Sequence, residues 1–60
     1  MSELMAIYQV GSYKVELREE DLGFTVYYFK CGECLSSEAC ETEDQGYDCF
    51  HVTVNSIINK

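Results

Sequence analysis

The segment YKVELREEDLGFTVYYFK, residues 13–30, constrains the fold more than any other part of the chain. Tyr13, Val15 and Leu17 alternate with Lys14, Glu16 and Arg18, the period of a strand that turns one face to a core. A charged EEDLG follows, and then FTVYYFK, rich in aromatic and β-branched residues. The whole segment predicts a β-hairpin. In its second strand Phe24, Val26 and Tyr28 share one face and Thr25, Tyr27 and Phe29 the other, so both faces are largely apolar. Such a strand lies centrally in its sheet, or its outer face meets a partner. Thr25, Tyr27 and Phe29 are therefore the candidate interface residues.

The flanking segments extend this hairpin. LMAIYQV predicts a further strand, set off by Gly11-Ser12; KCGE predicts a tight turn, with Gly32 free to take positive φ; CLSSEA predicts a short strand. The last segment has two readings. As a strand, Phe50, Val52 and Val54 alternate over a few residues only. As a helix, TEDQ forms a capping box with Thr42 at the N-cap and Gln45 reaching back, and Tyr47, Phe50, Val54, Ile57 and Ile58 make one apolar stripe. With the helix preferred, the expected architecture is α+β: an antiparallel three- to four-stranded β-meander covered on one face by a single C-terminal α-helix. One small domain spans residues 1–60, with strands at about 4–10, 13–19, 24–30 and 34–39 and a helix at about 43–58.

A chain of 60 residues buries only about 60% of its unfolded surface, so extra support from a metal, disulfides or self-association is expected. Eleven carboxylates face four cations, for a net charge of −7. That balance disfavours direct contact with nucleic acid or anionic membrane and favours basic proteins or cations. Carboxylates crowd between Glu33 and Asp48, and Glu33, Glu38, Glu41, Glu43, Asp44 and Asp48 make up a candidate acidic surface. The first residues lack the basic and apolar regions of a signal peptide, and no stretch has membrane-spanning length, so a cytoplasmic setting is expected.

All four cysteines and the single histidine fall within CGECLSSEACETEDQGYDCFH. Cys31-x2-Cys34 has the spacing of a zinc knuckle, with Cys40, Cys49 or His51 as the remaining ligands. If the last segment is a strand, Cys49 and His51 project together and zinc is feasible. If it is a helix, Cys49 is expected on the face opposite Phe50 and Val54, with His51 about 160° away, and the site does not close. Free thiols, disulfides and zinc all remain open, with no cofactor favoured. No nucleophile has an evident base partner and no phosphate-binding loop occurs, so a non-enzymatic chain is expected.

The succession YKVELREEDLGFTVYYF, Gly32-Glu33, Ser36-Ser37-Glu38, Thr42 and the Phe50/Val54 stripe resembles the YegP-like family of small β-β-β-α domains, over about residues 13–58. Units of that family lack this cysteine set and carry more basic helices. The resemblance implies a fold and the pairing of two units, in tandem or as a dimer; it implies no catalytic residue. The resulting expectation is a small acidic module that acts by protein–protein association, either as a homodimer through its sheet or by binding a protein partner. The alternatives are a phage-type acidic inhibitor that mimics nucleic acid in a basic groove, and a zinc-stabilised binding module.

Overall fold

Four strands and a helix follow one another in the computed structural model, which describes residues 2–59: β1 (Glu3–Val10), β2 (Tyr13–Glu20), β3 (Gly23–Lys30), β4 (Glu33–Cys40) and α1 (Glu43–Ile58). The strands pair antiparallel in chain order, β1-β2-β3-β4, each joined to the next by two residues. The C-terminal segment is thus a helix, and the strand reading of it is set aside. β4 runs as long as the other strands, although ECLSSEAC contains little that favours a strand. Pairing with β3 along its length supplies the backbone bonds that its composition would not secure.

Alternation along β2 divides the sheet into two faces. Val15 and Leu17 point toward α1 and are fully buried, beside Val26 of β3 and Phe50, Val54 and Ile57 of the helix. Tyr28 stands opposite Val15 and stacks on Tyr13 at 6.2 Å. The stripe Gly46, Phe50, Val54 and Ile57 buries itself on this face because the four residues fall on one side of a 3.6-residue period. Gly46 lets the helix approach closely: a Cβ there would lie 3.1 Å from Leu17 Cδ1 and 3.2 Å from Phe24 Cβ.

Local chemistry fixes the ends. The Thr42 hydroxyl accepts from the Gln45 backbone N–H at 3.2 Å, while the Gln45 side chain accepts from the Glu41 N–H at 3.1 Å, so the capping box reaches one residue beyond the cap. Glu43 and Asp44 sit in the first turn, where the helix dipole favours negative charge. At the β3–β4 turn Cys31 and Gly32 both have positive φ, 55° and 80°, as a two-residue hairpin with the right twist demands.

Candidate functional site: the open face of the sheet

One layer of helix covers one face only. On the other face the side chains of the three paired rows are, from β1 to β4, Leu4, Arg18, Thr25 and Ala39; Ile7, Glu16, Tyr27 and Ser37; and Gln9, Lys14, Phe29 and Cys34. Thr25, Tyr27 and Phe29 therefore lie together on the open face, each half-buried by its neighbours, and β1 lies beside β2 rather than over them. Leu4 and Ile7 are exposed at the margin.

Ionic and hydrogen bonds organise the middle of this face. Glu16 is only 7% exposed although no second layer covers it. Arg18 Nε donates to it at 2.8 Å, Lys14 Nζ lies 3.3 Å away, and Ile7 and Tyr27 stand opposite it on the adjacent strands. Burial alone would raise its pKa, but the hydrogen bonds and charges of Arg18 and Lys14 outweigh that and hold the carboxyl below its ordinary value. Glu20 accepts from Tyr27 Oη at 2.8 Å and from Thr25 Oγ1 at 2.9 Å. Those two bonds lower its pKa, and the Tyr27 bond in turn raises that of the phenol. Lys14 Nζ also lies 4.6 Å from the centre of the Phe29 ring. The aromatic part of this face follows from alternation in FTVYYF. The buried Glu16 does not, because its burial depends on which residues of β1 and β3 come to stand beside it.

The acidic residues Glu33, Glu38, Glu41, Glu43, Asp44 and Asp48 are all exposed, but they do not form one patch. Glu33 begins β4 at the opposite end of the sheet from Glu38, Glu41, Glu43 and Asp44, and Asp48 lies a turn into α1. The strand register adds Glu3, Glu19, Glu20 and Asp21 to the Glu38–Asp44 end, since Glu3 pairs with Glu19 and Cys40 with Phe24. Eight of the eleven carboxylates thus gather at the end of the sheet where α1 begins.

The cysteines separate into two pairs. Cys31 and Cys34 are exposed at the β3–β4 turn, whereas Cys40 ends the same strand six residues beyond Cys34, about 20 Å away along an extended chain. Cys49 corrects the sequence expectation. It does not face away from Phe50 and Val54 but flanks their stripe, half-buried against the core, because adjacent helical residues differ by only about 100°. Burial raises its pKa most, followed by the neighbouring Cys40 thiol and the Glu38 carboxylate. His51 is exposed, its ring edge-on to Phe50 at 5.8 Å. Among the described residues no three His, Cys, Asp or Glu side chains converge as metal ligands, so the proposed zinc donors are not brought together. No helix among them is long and apolar enough to cross a membrane.

Comparison with protein-family models, curated proteins and solved structures finds no match, which neither supports nor contradicts the likeness to the YegP-like family.

Proposed function

We propose that this chain is a small non-enzymatic module that works by protein–protein association, first with itself, through the open face of its sheet. The observation that carries this reading is the distribution of charge. Among the described residues Lys14 and Arg18 on the open face balance Glu16 and Glu20, while the other nine carboxylates of a chain of net charge −7 lie outside its three paired rows. Two copies of so acidic a chain repel wherever they meet except across a neutral surface. That same face presents Tyr27, Phe29, Leu4 and Ile7, the aromatic and aliphatic residue types that anchor interfaces. Sedimentation equilibrium tests the reading: the wild type is expected to dimerise, and Phe29→Ser and Ile7→Ser to shift it toward monomer while keeping the circular dichroism spectrum. A wild type that stays monomeric at its highest soluble concentration overturns self-association.

A second reading, an acidic inhibitor that occupies a basic groove, draws on the carboxylates gathered where α1 begins. It requires competition with duplex DNA for a basic DNA-binding protein, with an affinity that falls steeply as salt is added. Salt-insensitive binding would sink it.

A further inference from the structure

The central row of the open face reads Lys14, Glu16, Arg18, Glu20 along β2, with signs plus, minus, plus, minus at spacings of about 6.6–6.8 Å. Turned end for end, the same row reads minus, plus, minus, plus, so it complements its own reversed copy. We infer that the occupant of this face is a second copy of the chain, stacked face to face about a two-fold axis that crosses the strands at Leu17, so that Lys14 meets Glu20 and Glu16 meets Arg18 of the other copy. This register rests on the self-association proposed above and specifies it.

The rows on either side fit the same axis. Ile7 stands opposite Glu16 and Leu4 opposite Arg18, so the axis brings Ile7 of one copy over Leu4 of the other. Tyr27 likewise comes over Thr25, and Phe29, opposite Lys14, comes over Gly23, opposite Glu20, which has no side chain to obstruct the ring. A two-fold axis running along β2 would instead place each charge over its like, which costs several kcal/mol. Stacked sheets lie about 10 Å apart with strands within about 30° of one another, which keeps facing residues in reach near the axis. Four strands of eight residues present roughly 26 by 19 Å. Two such faces bury about 1,000 Å² in total, at the lower end for a specific interface. Ion pairs within the chain already hold Lys14, Glu16 and Arg18 in place, so docking orders little that is not ordered beforehand.

The test exchanges charge between facing positions. Lys14→Glu sets two carboxylates against each other across the axis at both ends of the row, and Glu20→Lys sets two cations there. In an equimolar mixture of the two variants every facing pair is again of opposite sign. Each variant alone is expected to dimerise at least about tenfold more weakly than the wild type by sedimentation equilibrium, and the mixture to recover wild-type affinity within about threefold as a heterodimer. The pair Arg18→Glu and Glu16→Arg obeys the same rule and repeats the test nearer the axis, with circular dichroism to confirm that each variant folds. A wild-type dimer whose single variants associate undiminished, or whose mixture recovers nothing, overturns the register and leaves self-association standing. A monomeric wild type overturns both.

Discussion

Glu16 shows how a single side chain can belong to neither category that alternation allows. By period it is a solvent-face residue of β2, yet its surroundings are those of a buried ion pair. Its pKa is lowered on folding, so the stability it contributes is complete above the unfolded carboxylate range, roughly pH 4–5, and is lost as pH falls through its folded value. Urea midpoints measured from pH 7 down to pH 3 should therefore fall less steeply for Glu16→Gln than for the wild type. The thiols differ by the same logic. Exposed Cys31 and Cys34 should react with a maleimide or aromatic disulfide well before Cys49, whose thiolate burial and the nearby Cys40 and Glu38 disfavour. Mass mapping of a brief labelling reaction reads the order directly.

At the scale of elements, the turns and the helix start are where local sequence decides most. Gly23 opens β3 with φ +150°, and a Cβ there would lie 2.6 Å from the Cys40 carbonyl oxygen, which is backbone and cannot swing aside. Gly23→Ala should cost roughly 2–4 kcal/mol in chemical denaturation and loosen the β3–β4 pairing first. The strands of residues 13–30 and the Thr42 cap were legible because period and capping chemistry are local signals. Cys49 was misplaced because an angle around a helix axis is not a burial: its half-buried flank exists only once β4 runs beneath α1. Gly46 reads in sequence as a poor helix former, and only the helix–sheet spacing shows what its missing side chain permits. The length of β4 was hidden for a similar reason, since β3 rather than its own composition sustains it.

For the whole molecule, a single layer of helix on a four-stranded sheet leaves a thin core in which few residues carry much of the burial. Phe50 lies among Val15, Leu17, Val26, Val54 and Ile57, so it joins the helix to both central strands. Phe50→Ala should lower the unfolding free energy by about 3–5 kcal/mol, measured in urea, a large fraction of what a domain of this size commonly has. The two-layer outline and the aromatic outer face follow from pattern in the chain. The neutrality of that face does not, because it depends on which of the described charged side chains share it.

If two copies pair as proposed above, that neutrality also determines where assembly stops. Stacking of the proposed kind would use the balanced face of each copy and leave the acidic surfaces outward, so such a pair would carry twice the charge of one chain. β1 and β4 remain as open strand edges, the usual starting points for runaway strand addition. Any third copy approaching those edges meets a pair more strongly repelling than either member was alone. In such a pair the charge that a lone copy must avoid at its contact surface would act as the terminator that keeps a short, edge-exposed sheet from growing into a fibre.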